Sequence, residues 1–110
     1  MKTYAYALDL KLDGEMIGQY VEWHKHVPPE VLEAGYRQGI LSQKIFLVGN
    51  RLFRIVEATD DYDPDSSEDY ALQSPVAKEW DERMRAYQQP VNARKNSEWW
   101  ARMELVFECS

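Results

Sequence analysis

Two β-rich runs, residues 40–48 (ILSQKIFLV) and 51–58 (RLFRIVEA), are separated only by Gly49-Asn50. Both connecting residues tolerate positive φ, so the pair reads as a two-residue turn and the runs as an antiparallel hairpin. A hairpin in the middle of a 110-residue chain constrains what surrounds it. Residues 3–10 alternate in side-chain size and read as an earlier strand. Asp13 then stands at a helix N-cap position. Met16, Ile17, Tyr20, His24 and Val27 recur at helical spacing, which predicts an amphipathic helix over residues 14–26. Pro28-Pro29 ends it, because neither residue has a backbone N–H to donate. A shorter helix restarts there and stops at Gly39, a natural C′ residue.

The second half repeats the plan. Asp63-Pro64 reads as a cap followed by proline at the first helical position, opening a short helix to about residue 72. Ser74-Pro75 repeats the device and opens a longer helix with Val76, Trp80, Met84 and Tyr87 on one face, closed by Pro90. Residues 91–97 read as loop and residues 98–108 as a final strand. The order βαββαβ predicts a single domain over residues 1–110, a ferredoxin-like α+β fold with an antiparallel sheet and helices on one face. The other sheet face is then bare and rich in large side chains. A domain of this size hides such a face against a second copy, so a homodimer (a dimeric α/β barrel) is expected.

Charge and composition exclude several functions. With 13 basic against 19 acidic residues the formal charge is −6, which gives no electrostatic reason to bind nucleic acid. No apolar run approaches the ~18 residues of a membrane span. Residues 1–10 carry Asp9 and do not read as a secretory signal. Cys109 is the sole cysteine, which excludes an intramolecular disulfide and a cysteine-cluster zinc site, so a reducing cytoplasm is expected. Asp61-x-Asp63-x-Asp65 resembles the start of a calcium loop, but Ser66 and Leu72 stand where glycine and glutamate are required.

Histidine is scarce. His24 and His26 lie two apart, roughly 200° around a helix, and cannot share one metal ion from a regular helix. His24 falls on the apolar stripe one turn beyond Tyr20, and His26 on the outer side. Indoles stack on the C–H face of a sugar ring while amide and carboxylate groups bond its hydroxyls. Trp80 with Asp81 beside it, Trp99-Trp100 on opposite faces of the last strand, and Gln43 at a core-facing parity are candidates for such a site. Glu57 and Glu104 are carboxylates at or within strands. No nucleophile elbow, P-loop, dinucleotide fingerprint or metalloprotease helix is present. The chemistry expected is proton transfer on a small polar substrate, with no cofactor.

Tyr20-x-x-x-His24, Pro29-Glu30, the Ile45-Phe46-Leu47/Leu52-Phe53 hairpin with Val56-Glu57, Trp80 followed at four residues by Met84, and the closing Val106-Phe107 resemble the L-rhamnose mutarotase family over essentially the whole chain. Gly49-Asn50-Arg51-Leu52-Phe53, Trp80-Asp81 and Gln88-Gln89-Pro90 are similar to its L-fucose branch. The rhamnose branch has a Trp-Trp pair where this chain has Trp80-Asp81, and a tyrosine where it has Gln43. The resemblance implies an isomerase that interconverts the α and β anomers of a 6-deoxy-L-hexopyranose, with L-fucose ahead of L-rhamnose. It implies a catalytic role for His24, as proton donor, and substrate contacts at Tyr20, Gln43, Trp80 and Asp81. The complementary base is left open among Glu57, Glu104 and water. Two other functions share the expected architecture: a dimeric α+β monooxygenase or haem-handling protein, and a non-catalytic sugar-binding dimer.

Overall fold

The structure is a computed structural model that describes residues 1–65 and 74–110. Its elements are β1 (Lys2–Leu10), α1 (Gly14–Trp23), α2 (Pro29–Gln38), β2 (Ile40–Val48), β3 (Arg51–Ala58), α3 (Pro75–Arg85), β4 (Gln88–Gln89) and β5 (Ala101–Arg102). All pairings are antiparallel, and the strand order is β2-β3-β1 with β4 and β5 both on the outer edge of β1. This is the ferredoxin-like arrangement expected from the element order. The short helix expected to residue 72 begins with a 3₁₀ turn at residues 64 and 65; its remainder lies outside the described residues.

The hairpin forms as anticipated, with one refinement. Only Gly49 takes a positive φ, 60°, while Asn50 uses its side chain instead. Asn50 Nδ2 donates to the Leu10 carbonyl at 2.8 Å, and the Leu10 N–H donates to the Asn50 carbonyl at 2.7 Å. The turn is thereby tied to the end of β1.

Helix α1 is shorter than its apolar spacing suggests. Asp13 caps it, its Oδ1 accepting from the Glu15 and Met16 N–H groups at 3.0 and 3.2 Å. The α-helix ends at Trp23, and residues 24–26 close with tighter i→i−3 bonds, Lys25 to Glu22 and His26 to Trp23. Pro28 imposes this ending, since it biases Val27 away from helical backbone. In α3 the buried stripe is Ala77, Trp80 and Met84; Val76 lies on the exposed side. That helix stops at Arg85, so Tyr87 lies beyond it.

The expected last strand over residues 98–108 is corrected. Only Ala101 and Arg102 pair with β1, opposite Ala7 and Tyr6, and the Met103 N–H adds one bond to the Ala5 carbonyl at 2.7 Å. The other end of that edge is filled by Gln88 and Gln89, opposite Leu10 and Asp9. Pro90 cannot donate to a ladder, so the chain leaves the sheet there and returns at residue 101. Beyond Met103 the alternating pattern persists without a partner strand, and Leu105, Val106 and Phe107 are 73–86% exposed.

Side chains of alternate parity divide the sheet into two faces. Tyr6, Leu8 and Leu10 from β1, with Leu52 and Val56 from β3, are buried beneath the helices. Phe46, Val48 and Ile55 remain exposed on the opposite face. Two clusters fill the core: Tyr6, Ile40, Val56, Ala58 and Tyr62, and Leu10, Tyr20, Leu52, Trp80 and Met84.

Helix α2 ends at Gly39, whose φ is 105°. A Cβ there would stand 2.5 Å from Thr59 Oγ1, and a left-handed backbone costs an L-residue about 1–2 kcal/mol besides. Gly39→Ala is therefore expected to destabilise the fold by about 2–3 kcal/mol in a urea titration, with an unchanged slope.

Candidate active site

A cavity of about 560 Å³ opens between the helices and the covered face of the sheet. That volume falls within the range of about 300–1,000 Å³ typical of small-molecule sites. Tyr20 and His24 reach it from α1 and the turn after it; Gln43 and Ile45 from β2; Leu52 and Arg54 from β3. Trp80, Asp81, Met84 and Arg85 enter from α3, and Gln88, Trp99 and Trp100 from the outer edge of the sheet. The register explains the strand contributions. Gln43 is opposite Val56 and Ile45 opposite Arg54, and directly opposed residues share a face.

His24 is the first residue past α1, and its ring turns back over the helix end. Nδ1 lies 2.9 Å from the Tyr20 carbonyl oxygen. A carbonyl only accepts, so Nδ1 carries the hydrogen and Nε2 is left as the nitrogen with a free lone pair in the neutral ring. The imidazole packs on the Tyr20 ring at 4.5 Å and meets the Trp80 ring edge-on at 5.3 Å, 74° between planes. Burial lowers its pKa from 6.5, and the hydrogen bond to the Tyr20 carbonyl opposes the shift in part. The neutral ring is accordingly the resting form at neutral pH.

Tyr20 is almost fully buried, and burial pushes its phenol up to about 12, against smaller lowering by Gln88 and Arg54. Its hydroxyl is a neutral hydrogen-bonding group. Gln43 Oε1 accepts from Arg54 Nε at 2.9 Å, which leaves the amide nitrogen as the group offered to a ligand. Arg54 itself lies between the rings of Tyr6 and Trp100, at 5.3 and 5.6 Å from their centroids. Asp81 Oδ2 accepts from Arg85 Nε at 2.9 Å, an i,i+4 pair on the cavity side of α3. Trp80 belongs to both core and site: it packs with Leu10, Leu52 and Met84 and still lines the cavity.

All five residues singled out from the sequence, Tyr20, His24, Gln43, Trp80 and Asp81, thus line one cavity. His26 does not: it is exposed and stands 3.7 Å from Glu22. Glu57 shares the parity of the uncovered sheet face, opposite Ser42 and Thr3, and Glu104 lies in the exposed C-terminal segment. Neither reaches the cavity, so both are removed as partners of His24. The expectation that Trp99 and Trp100 point to opposite faces is also corrected. Both line the cavity, because they sit in a bend before β5, where strand alternation does not apply.

Arg54, Arg85 and Gln88 were not anticipated. Arg54 has core parity between Leu52 and Val56, the same signal that marks Gln43. Arg85 lies one turn after Asp81 on the same helix face. Gln88 entered only within the Gln88-Gln89-Pro90 resemblance, and nothing marked it as a site residue, because its place depends on a two-residue strand.

The fold and cavity define a class: an α+β domain of ferredoxin-like fold whose helix–sheet cleft gathers one imidazole, a phenol, amides and indoles. Comparison with known proteins narrows it. The family model described as L-rhamnose mutarotase matches residues 3–109, and the chain belongs to the L-rhamnose mutarotase family, isomerases that act on carbohydrates. It is 43% identical over 111 residues to a UPF0734 protein of Dictyostelium discoideum, covering 97% of this chain and 89% of the relative. It is 30% identical over 112 residues to an L-fucose mutarotase of Xanthomonas campestris, covering 100% of this chain and 90% of the relative. The fold is similar to L-rhamnose mutarotase FA22100 from Formosa agariphila, TM-score 0.70 and 19% identity over the whole of both chains. It is also similar to tetracenomycin F2 cyclase of Streptomyces glaucescens, a type-II polyketide cyclase, at TM-score 0.66 and 17% identity over 100% of this chain and 98% of that one.

Proposed function

We propose that this protein interconverts the α and β anomers of L-fucose, with His24 moving the proton. The observation that carries the proposal is the placement of Tyr20, His24, Gln43, Trp80 and Asp81 around one cavity of small-molecule size. The preference for L-fucose over L-rhamnose rests on Gln43 and the Trp80-Asp81 pair. The similarity to an L-fucose mutarotase along the full chain supports it.

Anomers of a pyranose differ only at C1, and exchange requires the C1–O5 bond to break and re-form. The resemblance implies His24 as proton donor; in this scheme it fills that role on ring closure, while in opening Nε2 of the neutral ring takes the proton from the C1 hydroxyl as the C1–O5 bond opens to the aldehyde. O5 departs with the bonding pair and receives a proton from the Tyr20 hydroxyl, and the proton held on His24 then restores the phenol. The net change is one proton moved from O1 to O5. Rotation about C1–C2 presents the other carbonyl face, and the same steps in reverse close the ring as the other anomer. Trp80 contributes an indole wall for the C–H face of the sugar, while the Gln43 amide N–H₂ and the Asp81 carboxylate bond its hydroxyls.

The proposal includes a homodimer working in the reducing cytoplasm. Phe46, Val48 and Ile55 leave an apolar sheet face open, and Leu105, Val106 and Phe107 extend the exposed apolar surface. Sedimentation equilibrium at micromolar concentration is expected to give twice the chain mass; a monomer mass discards the dimer.

Positioned acid–base groups contribute about 10²–10⁴-fold, so His24→Ala is expected to lose that much anomer exchange on L-fucose in an exchange NMR assay. A panel of L-fucose, L-rhamnose and D-galactose reads the preference in the same assay. Retained exchange in the variant removes His24 from the chemistry, and sugar binding without acceleration by the wild type indicates a non-catalytic binding protein.

The pH profile has a definite sign. A base whose pKa lies below 6.5 stays largely neutral from pH 8 down to about 6.5 and is protonated only as the pH falls through that lower pKa. Catalysed exchange is expected to be flat across the upper range and to fall on further acidification. A rate that rises toward acid would mean that imidazolium is the working form.

A further inference from the structure

Gln88 sits on β4, the two-residue strand at the outer edge of β1, and is 7% exposed. Its amide oxygen accepts from the Trp99 indole N–H at 2.8 Å. Its amide nitrogen lies 3.1 Å from the Tyr20 hydroxyl oxygen. An indole N–H only donates, so the amide atom that meets it is oxygen and the orientation of Gln88 follows from chemistry alone. The nitrogen left facing Tyr20 only donates. The Tyr20 hydroxyl must therefore accept from it, and its own hydrogen points elsewhere. Among the described residues no other side chain bonds that hydroxyl, and Tyr20 and Gln88 both line the cavity.

We infer that Gln88 is a positioning residue: with Trp99 holding its amide, it fixes the Tyr20 hydroxyl as a hydrogen-bond donor toward an acceptor oxygen of the bound sugar. The inference rests on the proposed function for the identity of that acceptor, the ring oxygen. The chain Trp99–Gln88–Tyr20 also explains why the two pieces of the outer edge matter to the site. Gln88 precedes the excursion of residues 90–100 and Trp99 lies near its end, so that loop and the phenol of α1 are linked through one amide.

Two substitutions separate this role from simple packing. Gln88→Leu removes the donor to Tyr20 and the acceptor for Trp99. Gln88→Glu keeps the shape, but the ionised carboxylate only accepts and draws the phenol hydrogen back from the cavity. A protonated carboxyl donates to Tyr20 through one oxygen and accepts from Trp99 through the other, which restores the original pattern. The titratable and charged groups lining the same cavity are Tyr20 and His24 from the first helical segment, Arg54 from β3, and Asp81 and Arg85 from α3. Comparison with the wild type at each pH cancels their common titration.

Exchange NMR on L-fucose is expected to show kcat lowered roughly tenfold in Gln88→Leu, the size of one hydrogen bond, with a smaller change in KM. In Gln88→Glu the ratio to wild-type kcat is expected to be low at pH 8 and to rise as pH falls through the carboxyl's titration. In a Tyr20→Phe background both Gln88 substitutions are expected to add little. The Trp99 indole resonance, assigned through Trp99→Phe, is expected to move upfield in Gln88→Leu whatever the activity. A pH-independent ratio for Gln88→Glu with wild-type exchange intact overturns the inference, as does an unshifted Trp99 resonance. Failure of the function itself looks different, because the wild-type protein then gives no acceleration at all.

Discussion

The outer edge of β1 controls the geometry of everything on the cavity side of the sheet. A nine-residue strand pairs along its inner edge with β3 over almost its full length, yet its outer edge receives only two short pieces. Were residues 88–102 one continuous strand, alternate side chains would point away from the helices and the cavity would lose a wall. Pro90 interrupts the ladder, and the chain between the pieces carries Trp99 and Trp100 back over the cleft. The missing hydrogen bonds on that edge are the structural cost of a walled site. Their loss is tolerable because β1 is already anchored by β3 and by the Asn50 side chain at its end.

Within the cleft, polarity is assigned by neighbours rather than by residue type. Glutamine offers both a donor and an acceptor, but Arg54 occupies the Gln43 oxygen and Trp99 the Gln88 oxygen. The Gln43 amide keeps its N–H₂ for a ligand, and the Gln88 N–H₂ is turned onto the Tyr20 hydroxyl. Asp81, whose Oδ2 is engaged by Arg85, supplies acceptor capacity on the opposite wall. A polyhydroxylated ring presents donors and acceptors together, and a wall with both, each oriented beforehand, avoids the cost of ordering them at binding. The guanidinium groups are themselves held by aromatic faces, Arg54 by Tyr6 and Trp100 and Arg85 by Trp99. This arrangement differs from the uniformly apolar lining that a hydrocarbon or porphyrin requires.

Local rules made much of this architecture legible in the sequence. The hairpin, the Asp13 cap, the Gly39 stop and the Ser74-Pro75 helix start depend on backbone chemistry within a few residues, and each formed where expected. So did the convergence of Tyr20 with His24, one helical turn apart. What was not legible depends on long-range pairing. Residues 103–108 alternate as a strand does, but the chain leaves the edge after the Met103–Ala5 bond although β1 continues to Lys2, and alternation alone does not make a ladder. The place of Gln88 in the sheet and the site was not legible for the converse reason: nothing local marks two residues after a helix as sheet. Arg54 was not singled out, although its parity with Leu52 and Val56 already placed it inward.

Tetracenomycin F2 cyclase shares this fold, so the scaffold alone does not select the reaction. In the proposed reaction, selection comes down to a short stretch at the end of α1. Pro28-Pro29 forbids the helix from continuing, the last turn tightens, and His24 is left just outside the helix with its ring able to swing back onto the Tyr20 carbonyl. That carbonyl belongs to the final turn of the helix and accepts only a long bond, 3.4 Å, from the His24 backbone N–H, so the imidazole adds a second and shorter donor at 2.9 Å. Capping the helix end and selecting the Nδ1–H tautomer are therefore one event. Burial against Tyr20 and Trp80 then favours the neutral ring, which leaves Nε2 with the lone pair that the proposed proton transfer uses. The backbone N–H and the ring Nδ1 of the same residue thus converge on one carbonyl, and it is the shorter ring bond that distinguishes the two imidazole nitrogens.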